Sequence, residues 1–489
     1  MTDYQDPLGD SWRDEPSCLE AELPPGRRKT STGRTLRTVA PDEEPDFTLA
    51  RGDHVELAGL LLTALRTTAD LVHTDGALYR YQPKRGIWET VHRGEQSRVV
   101  QGFAGITIDG KKDPLSLKAS DVTGSIKLAA DQALQPTFFS DAPAGIAFDG
   151  SYVEVMPDGE IIQRDHAPEH RARFAYPFAF QSTATPPRWL AFLDSVFDGD
   201  ADAAAKIALL QEYVGLCILG RASRYQRAII MLGAGANGKG VVAKVVEACM
   251  PPGSVAAIAP QQMGCEYRRA KLAGALINIV SELPPSDIDD SNAWKAIVAG
   301  DSIDARHIRE APFTFRPVAG HIYSANPPLP GTSDQSDGFW RRPILELFNR
   351  CFAPHEQIAD LDTQIISSEL PECVSWFLAG AARAIASGQL TLPSSHTEAL
   401  DRWRHAADQV RAFVRDRTLA LDAEEPSNSG TTGAALYEAY REWATATGHR
   451  NLYARNRFGE RAKGLIPNAS VHGTRHYRVR LRRAWEGDE

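Results

Sequence analysis

The sequence predicts an α/β protein whose core is a three-layer sandwich of helices around a largely parallel sheet. Short apolar runs typical of buried strands, 228–232, 276–280 and 321–324, alternate with helix-like segments. A glycine-rich loop, GAGANGKG, follows the first run and precedes a helical stretch, 241–250. A strand, a glycine-rich turn and a helix in this order are typical of phosphate-binding loops. The core is therefore predicted to be of the P-loop type.

The residues of this loop suit a nucleoside triphosphate. Glycines let successive backbone N–H groups converge on phosphate oxygens, and the helix N-terminus adds partial positive charge. Lys239 is expected to reach the β- and γ-phosphates as a mobile cation. Gly240 stands where such loops usually carry a Ser or Thr that helps to hold Mg²⁺. The alternative is a glycine-rich turn between two core elements. We predict ATP binding at Gly233, Ala234, Gly235, Ala236, Asn237, Gly238, Lys239, Gly240 and Val241.

Composition limits the class of protein. The chain has 489 residues, which suggests about three domains. Its hydrophobic content of 43% and charged content of 24% are those of a globular protein. Six widely spaced cysteines argue against a zinc framework or a disulfide-stabilised fold. The sequence contains neither an apolar run of membrane-spanning length nor a secretory signal, so we expect a cytoplasmic protein without a membrane partner.

The residues before the core predict a disordered arm and a small α+β domain. Residues 1–48 are rich in Pro, Asp, Glu, Ser and Thr and lack periodic apolar positions, so they cannot bury enough surface to become ordered. A β-hairpin is expected at 77–90 and a second β-rich patch at 145–162. Two helices, 189–197 and 203–219, lead into the first strand of the core.

Beyond the core the pattern becomes helical and then basic. Helices are predicted at 358–368, 372–386 and 397–419, and a second group of two helices and one strand at 434–447, 456–464 and 476–482. Between Arg450 and Arg483 there are ten Lys or Arg residues and one acid, Glu460, despite the net charge of −9. Helices followed by a basic strand indicate a winged-helix-like module that binds DNA; the alternative is a solvated basic face.

These segments give six predicted regions. They are a disordered acidic arm (1–48), an N-terminal α+β domain (49–185), the P-loop core (186–352), a helical extension (353–421), a linker (422–433) and a basic winged-helix-like domain (434–489).

Polar residues after the later core strands narrow the chemistry. Glu282 ends a buried strand, where a carboxylate can polarise the attacking water or help to hold the metal. Asn326 ends the next core strand and could orient that water by hydrogen bonding. The paired Arg341 and Arg342 follow, and one of them would suit a finger that stabilises phosphoryl-transfer charge across a subunit interface. Each residue also has a structural alternative: a helix cap, a turn residue before Pro327 and a salt bridge.

Residues 233–348 resemble the helicase core of superfamily 3, in particular the primase–helicases of phages, plasmids and large DNA viruses. The matching stretches, in chain order, are GAGANGKG, SELP, WKAIVAGDSIDARHIREAPFTFRP, YSANPPLP and DGFWRRPILELF. The resemblance extends upstream to LYRYQPKRGIW and downstream to PECVSWFLAGAARAI. It implies an AAA+-type core.

The resemblance also implies roles for individual residues. Lys239 would bind phosphates, Glu282 would be the catalytic acid of the second motif and Asn326 the polar sensor. Arg341 or Arg342 would act on the ATP of a neighbouring subunit. Two departures concern magnesium: Gly240 lacks a hydroxyl, and Ser281 stands where many ATPases carry Asp. We expect Glu282 and Ser281 to complete the Mg²⁺ site.

Residues 295–315 resemble a β-hairpin that grips single-stranded DNA inside a ring. The alternation in 303–308 supports a strand, and such a hairpin can follow phosphates without reading bases. The alternative is a hairpin that serves only subunit contact. The predicted DNA-binding residues, in the hairpin segment and then in the basic tail, are Lys295, Arg306, His307 and Arg309, and Arg455, Arg457, Arg461, Arg475 and Arg478.

The leading interpretation is an ATP-dependent DNA helicase or translocase of superfamily 3 that acts as a homo-oligomeric ring, a hexamer, in the replication of a phage, plasmid or other mobile element. Single-stranded DNA would lie in the ring channel and duplex DNA at the C-terminal domain. The upstream residues lack a DxD pair of metal-binding carboxylates, so we expect priming to need a separate primase or polymerase. The alternatives are an ATP-switched DNA-binding initiator with little unwinding, or a defence or packaging ATPase.

Overall fold

The computed structural model describes residues 48–482, except 184, 285, 289, 310, 311, 333, 423, 427, 428 and 448–451, together with two short strands nearer the N-terminus. The chain divides into two compact units, Met1–Arg66 with Val91–Ala133 and Thr67–Thr90 with Leu134–Glu489. The predicted domain 49–185 therefore contributes residues to both units. Among the described residues, every helix is too short or too polar to cross a lipid bilayer.

Three helices lie in the described part of the first unit. Its elements are β1 (Arg28–Lys29), β2 (Thr35–Leu36), α1 (His54–Leu65), α2 (Arg93–Gln101) and α3 (Ala119–Gln132). The two strands pair antiparallel. α1 contacts both other helices and begins at Asp53, whose side chain accepts a hydrogen bond from the backbone N–H of Glu56. The disorder predicted for residues 1–48 otherwise concerns residues outside the described part of the chain.

The second unit begins with two antiparallel meanders. These are β3 (Val72–Thr74), β4 (Ala77–Gln82) and β5 (Ile87–Thr90), and β6 (Gly145–Phe148), β7 (Ser151–Val155) and β8 (Ile161–Arg164). The predicted hairpin at 77–90 is confirmed, with Tyr81 opposite Trp88. The predicted β-rich patch at 145–162 is confirmed as well. Both meanders carry buried aromatic and β-branched residues. The second is buried on both faces, because Ile146 and Phe148 belong to one apolar cluster and Ala147 and Tyr152 to another.

The core elements follow in chain order: α4 (Pro187–Val196), α5 (Ala203–Ile218), β9 (Ala228–Leu232), α6 (Lys239–Ala248), β10 (Val255–Ala256), α7 (Glu266–Arg269), β11 (Ile277–Val280), α8 (Ser291–Ala299), β12 (Ile303–Ala305), β13 (Phe313–Phe315), β14 (Gly320–Ala325), α9 (Asp337–Trp340), β15 (Pro343–Leu347), α10 (Leu361–Ser387) and α11 (Ser394–Ala406). Five strands form a sheet in the order β10-β11-β14-β9-β15. Every neighbouring pair in this sheet is parallel. The predicted mixed α/β fold with a parallel sheet is therefore confirmed.

Both faces of this sheet are buried. In β9, Ile229 and Met231 belong to one apolar cluster, together with residues of α4, α5, α6 and α10. Ala228 and Ile230 belong to a second cluster, together with residues of α8, α9 and α11. Because successive side chains of a strand point to opposite faces, helices cover the sheet on both sides.

Helices α5 and α10 cross at two glycines. A Cβ on Gly215 would overlap the carbonyl oxygen of Phe377, and a Cβ on Gly380 would lie 2.5 Å from the backbone of Gln211. α10 also corrects the sequence prediction of two helices, because it continues through Pro371. Burial of its apolar face against α5 compensates for the backbone hydrogen bond that proline removes.

The elements after α11 form a third apolar cluster. They are α12 (Gln409–Arg417), β16 (Thr418–Ala420), β17 (Thr431–Thr432), α13 (Gly433–Ala446), α14 (Arg455–Leu465), β18 (Asn468–Val471), β19 (Thr474–Tyr477) and β20 (Val479–Leu481). β17, β19 and β18 form an antiparallel sheet in that order, and β16 pairs with β20. The strand predicted at 476–482 is thus two strands.

The start of this cluster differs from the predicted boundaries at 421 and 434. Val410 and Phe413 of α12 are fully buried among residues of α13 and α14, so α12 packs with the basic C-terminal part of the chain. The helix predicted at 397–419 ends at Ala406, and a new helix begins at Gln409. Asp408 causes this break, because its carboxylate accepts hydrogen bonds from the N–H groups of Val410 and Arg411 at 3.2 Å.

Candidate functional site

The loop between β9 and α6 carries a series of unpaired backbone N–H groups. Within the described residues, none of the N–H groups from Ala234 to Gly238 donates a hydrogen bond. The first turn of α6 adds further donors that a helix cannot satisfy internally. A Cβ on Gly233 would overlap the carbonyl oxygen of Phe348, and Gly238 has a φ of 86°. Glycine is therefore required at both ends of the loop, which can present its donors to an anion.

Lys239 begins α6, and only 8% of it is exposed. Its Nζ donates to the carbonyl oxygens of Gly233 at 2.6 Å and Ala234 at 3.0 Å, and to Oδ1 of Asn237 at 3.1 Å. Oδ1 of Asn326 lies 3.3 Å from the same nitrogen. Burial lowers the pKa of Lys239. The ammonium is thus held inside the loop by oxygen atoms alone.

The carboxyl ends of β9 and β14 meet at this lysine. Asn326 directly follows β14, which pairs with β9. The connection that leaves β9 leads to β10 at one edge of the sheet, whereas the connection that leaves β14 leads to β15 at the other edge. Open α/β sheets bind ligands beyond the carboxyl ends of strands at such a switch in direction. The sheet therefore brings Lys239 and Asn326 together at a position suited to a ligand.

Glu282 and Ser281 also lie beyond the carboxyl ends of the strands, farther from Lys239. Both are exposed and follow β11, which is separated from β9 by β14 alone. The N–H of Leu283 donates to the carbonyl oxygen of Ser324 at 2.8 Å and fixes this segment beside β14. Two strand spacings correspond to about 10 Å between the backbones of β9 and β11. Among the described residues, no group of three or more His, Cys, Asp and Glu side chains could hold a metal ion.

Gly240 occupies the second position of α6 and is exposed. A Cβ at this position would meet no atom within 4 Å. The absence of a hydroxyl side chain is therefore a property of the sequence, and the surrounding space does not require it.

Arg341 and Arg342 lie at the amino ends of the strands, whereas Lys239 lies beyond the carboxyl ends. They immediately precede β15, whose first residue, Pro343, is in register with Ala228, the first residue of β9. The five residues of β9 place its amino and carboxyl ends about 13 Å apart. Within one chain the arginine pair is thus remote from Lys239.

The two arginines differ in exposure. Arg341 is exposed, and its Nη2 donates to Oε1 of Gln226 at 3.1 Å. Only 6% of Arg342 is exposed, its Nη1 donates to the carbonyl oxygen of Gly338, and burial lowers its pKa. Only Arg341 can therefore reach a second molecule without unpacking the chain.

The predicted β-hairpin is formed by β12 and β13, with Ile303 opposite Phe315. The strand predicted at 303–308 ends at Ala305, and part of the tip, 310–311, lies outside the described residues. The Arg306 guanidinium lies over the ring of Tyr267 at 5.9 Å, and the His307 ring stacks on Phe313 at 5.2 Å.

The remaining predicted hairpin residues have different surroundings. Arg309 is exposed at the tip beside Ile308, 77% of which is exposed. Lys295 lies on α8 rather than on the hairpin, and its Nζ bonds to Oδ2 of Asp334 at 2.7 Å. Although burial opposes the shift, hydrogen bonds from Lys295 and Ser336 hold the pKa of Asp334 well below its usual range. The structure thus gives Lys295 an internal ion pair that the sequence did not indicate.

The predicted arginines of the C-terminal part have different environments. Arg455 and Arg457 are exposed on the first turn of α14, and Arg457 lies over the ring of Tyr453 at 4.7 Å. Nε of Arg461 donates to Oδ2 of the fully buried Asp408 at 2.8 Å. Arg461 therefore stabilises the fold of this module.

Two further predicted arginines lie near the β17-β19-β18 sheet. Arg475 is half-buried on β19. Arg478 follows β19, and its guanidinium donates to the carbonyl oxygens of Asp422 and Glu425. Arg478 thus holds part of the predicted linker against this module.

Residues that follow β15 contact the glycine-rich loop, and the sequence did not predict these contacts. The carbonyl oxygen of Phe348 accepts from Asn237 at 3.3 Å, and the N–H of Phe352 donates to Ala236 at 2.7 Å. Sγ of the exposed Cys351 lies 3.5 Å from the carbonyl oxygen of Gly235. No sequence signal marks these contacts, because they depend on the pairing of β15 with β9.

Comparisons with known proteins give one family model and several solved structures. The sequence model of a family of unknown function (DUF5906) matches residues 231–342. No match was found among curated proteins. Two solved structures with similarity are both of the NrS-1 C-terminal region in its apo form. One is 12% identical, with a TM-score of 0.36, and the match covers 54% of this chain and 73% of the other. The second, of residues 305–718, is 13% identical, with a TM-score of 0.39 and coverages of 74% and 80%. Both TM-scores lie below 0.5.

Proposed function

We propose that this chain is an ATP-dependent DNA translocase or helicase with a P-loop core of the AAA+ type, belonging to superfamily 3. The observation that carries the proposal is the contact of Lys239 with Asn326 beyond the carboxyl ends of two adjacent parallel strands. A loop with unpaired N–H groups precedes this lysine, and an exposed carboxylate, Glu282, follows the next strand of the sheet. A cation, an amide and a carboxylate along one edge suit phosphoryl-transfer chemistry.

The residues fit ATP and Mg²⁺. The triphosphate would be held by the N–H groups of residues 234–241 and by Lys239, since the N–H groups from 234 to 238 have no partner within the described chain. Glu282 and Ser281 would face the metal, with phosphate oxygens and water supplying its remaining ligands. Bound Mg²⁺ supplies neutralisation of the negative charge that develops on the phosphates.

The chain's own residues would prepare hydrolysis in separate roles. Glu282, exposed beyond β11, would accept a proton from the attacking water. Asn326 would orient that water while its Oδ1 remains beside Lys239. The position of Asn326 between the strands that carry Lys239 and Glu282 supports this assignment.

The positions of the arginines support a shared site. Arg341 is exposed and lies at the amino ends of the strands, away from Lys239. It could therefore reach only the nucleotide of another chain. A head-to-tail arrangement of this kind closes into a ring, for which we propose a hexamer. Arg342 is buried and would support the position of Arg341.

Two elements support DNA as the partner. The β12–β13 hairpin carries Arg309 and Ile308 exposed at its tip, as expected for a loop that follows a single strand. The β17-β19-β18 sheet with α13 and α14 has the elements of a winged helix. In such a module the first turn of α14, which carries Arg455 and Arg457, would enter a duplex groove. We propose that priming during replication requires a separate primase or polymerase.

A second candidate is an ATP-switched DNA-binding protein with little unwinding. The specific observation that favours it is the pair of altered metal positions, Gly240 and Ser281, because a weakly held Mg²⁺ would slow hydrolysis more than binding.

The test is ATP hydrolysis with and without single-stranded DNA, together with displacement of one strand from a forked duplex. Wild-type protein should hydrolyse ATP faster with DNA and displace the strand, whereas Glu282→Gln should bind ATP and do neither. ATP-dependent DNA binding without displacement would select the switch. Wild-type protein without any hydrolysis would refute the motor.

A further inference from the structure

A cavity of about 320 Å³ lies at the amino-terminal edge of the parallel sheet, away from Lys239. Five arginines line it, and none of its lining residues is an Asp or Glu. They come from three separate parts of the second unit: Arg171, Arg173, Arg221, Arg224 and Arg316. Positive charge concentrated in a concave surface attracts anions far more strongly than the same charges spread over a face.

A second cavity of about 830 Å³ adjoins the first. The two share Ser140, Ala142 and Pro143 on one wall and Arg221 and Arg224 on the other. The second cavity adds Arg227, with Asp141 and Glu154 as its acidic residues. We call the two cavities together the arginine cleft. Because the two cavities adjoin, their combined volume has room for more than one phosphate.

Several of these arginines are held rigidly. The Arg173 guanidinium lies 3.9 Å from the centre of the Phe139 ring and pairs with Asp75, and the Arg171 guanidinium lies over Phe138 at 4.9 Å. The Arg221 guanidinium donates to the carbonyl oxygen of Ala142, and burial lowers its pKa to about 10. Side chains fixed in this way lose little conformational freedom when they bind a phosphate.

Arg224 and Arg316 differ from the others. Both are exposed, and neither makes an ion pair or a side-chain hydrogen bond with another described residue. Neither guanidinium is therefore neutralised by an ion pair with a described acid, and both are available to an anionic ligand.

The cleft is continuous with the hairpin. Arg316 directly follows β13, the second strand of the hairpin, and lines the smaller cavity. Phe139 and His170 line the same cavity, with Arg173 over the Phe139 ring and Tyr152 stacked on the His170 ring. We propose that the arginine cleft binds the phosphate backbone of single-stranded nucleic acid as the strand passes the β12–β13 hairpin. The choice of ligand rests on the function proposed above, whereas the cleft itself does not.

The test is binding of fluorescein-labelled oligo(dT) to the full chain without nucleotide, measured by anisotropy over a range of salt concentrations. The double variant Arg224→Ala/Arg316→Ala should raise Kd at least about tenfold and reduce the salt slope by about 1.4, because each single-strand phosphate contact contributes about 0.7. Arg224→Lys/Arg316→Lys should retain most of the salt slope, since it keeps the charge. A matched control, Arg85→Ala/Arg402→Ala, removes two exposed arginines outside the cleft and should stay within twofold of wild type.

Four outcomes would overturn the proposal. The cleft variant could bind as wild type does, or the control could weaken binding equally. Thymidine monophosphate could compete as well as the oligonucleotide at equal phosphate concentration, which would identify a free-nucleotide site. A polyglutamate peptide could compete equally, which would identify an acidic protein segment as the ligand. ATP hydrolysis without DNA is measured in parallel, so that a failure of the ATPase and a failure of the cleft remain separate results.

Discussion

The ammonium of Lys239 and the side-chain amide of Asn326 meet beyond the carboxyl ends of two adjacent strands, with Nζ and Oδ1 3.3 Å apart. The contact links the segment after β14 directly to the glycine-rich loop between β9 and α6. The residue proposed to bind phosphate, Lys239, and the residue proposed to orient water, Asn326, would therefore lie side by side.

Replacement of these two residues should have different effects. Lys239→Ala should abolish ATP binding, because it removes the cation at the centre of the loop. Asn326→Ala should leave the Kd of a fluorescent ATP analogue within about threefold and lower kcat about 100-fold, since it removes a group that acts on the transition state. Lys244→Ala is the matched control: Lys244 lies on the same helix with its side chain 68% exposed, and loss of its ion pair with Asp362 should affect stability rather than ATP binding. Equal losses of binding in the Asn326 and Lys239 variants would contradict separate roles.

Gly240 provides a test of magnesium binding. Gly240→Ser should lower the Mg²⁺ concentration that gives half-maximal hydrolysis severalfold, because the added hydroxyl can ligate the metal in space that is open in the structure. Gly240→Ala is the control: it should add helix stability of up to about 1 kcal/mol without changing the Mg²⁺ dependence. If both variants shift the Mg²⁺ curve equally, the hydroxyl is not a ligand.

Arg341 should act between chains. Arg341→Ala and Lys239→Ala should each be inactive alone, with a fall in kcat of about 1,000-fold for the arginine variant. A mixture of the two variants should regain part of the activity, because some interfaces then combine an intact Lys239 with an intact Arg341. Arg402→Ala, another exposed arginine, should leave kcat unchanged. A mixture without recovered activity would exclude a shared site.

Arg342→Ala should instead lower stability. The side chain is buried and bonded to the carbonyl oxygen of Gly338, so the thermal midpoint should fall while Arg341→Ala leaves it unchanged.

His396 should make the stability of the core depend on pH. Its Nδ1 accepts the N–H of Leu345 in β15 at 3.0 Å, and burial, with the charge of Arg227, lowers its pKa to about 4. The unfolded chain takes up this proton near pH 6.5 and the folded chain near pH 4. The contribution is therefore complete above pH 6.5 and is lost as the pH falls toward 4, by up to about 1.4 kcal/mol per pH unit.

Urea unfolding at pH 7 and pH 5 measures this effect. His396→Asn keeps an acceptor near the position of Nδ1 but does not titrate, so it should reduce the difference between the two pH values. His405→Asn, an exposed histidine on the same helix, should retain the difference. An unchanged pH dependence in the His396 variant would assign it to other groups.

Arg461 and Arg455 should separate folding from DNA binding in the C-terminal module. Arg461→Ala leaves the buried carboxylate of Asp408 without its main ion pair and should lower the free energy of unfolding by about 2 kcal/mol. Arg455→Ala should leave stability unchanged and reduce the salt slope of duplex binding by about 0.9, as expected for one lost phosphate contact. A stable Arg461 variant with weak DNA binding would instead place Arg461 at the interface.

The sequence predicted local elements better than their arrangement. The strands at 228–232 and 321–324 follow from uniform apolar runs, and the helix predicted at 203–219 follows from helical periodicity. The order of the strands does not, because strands buried on both faces have similar composition and could pair in many ways. The division of the arginine pair into exposed Arg341 and buried Arg342 also depends on packing, since the two residues are adjacent in sequence.

Other differences have equally specific causes. The sequence predicted two helices, 358–368 and 372–386, but α10 continues through Pro371 because it packs on α5. The ion pair of Lys295 with Asp334 was not predicted, because the two residues are far apart in the sequence. The arginine cleft could not be predicted either, because it joins loops separated by more than a hundred positions.

The contacts of Lys239 also bear on how tightly the loop can hold a ligand. Its ammonium has three protons, and the oxygen atoms of Gly233, Ala234 and Asn237 already accept from it. An incoming phosphate would have to displace these oxygens, so its binding is an exchange of hydrogen-bond partners. The affinity for phosphate would then reflect the difference between two states in which the lysine is fully hydrogen-bonded. Release of a nucleotide would be favoured because the lysine can return to the oxygen atoms of the loop.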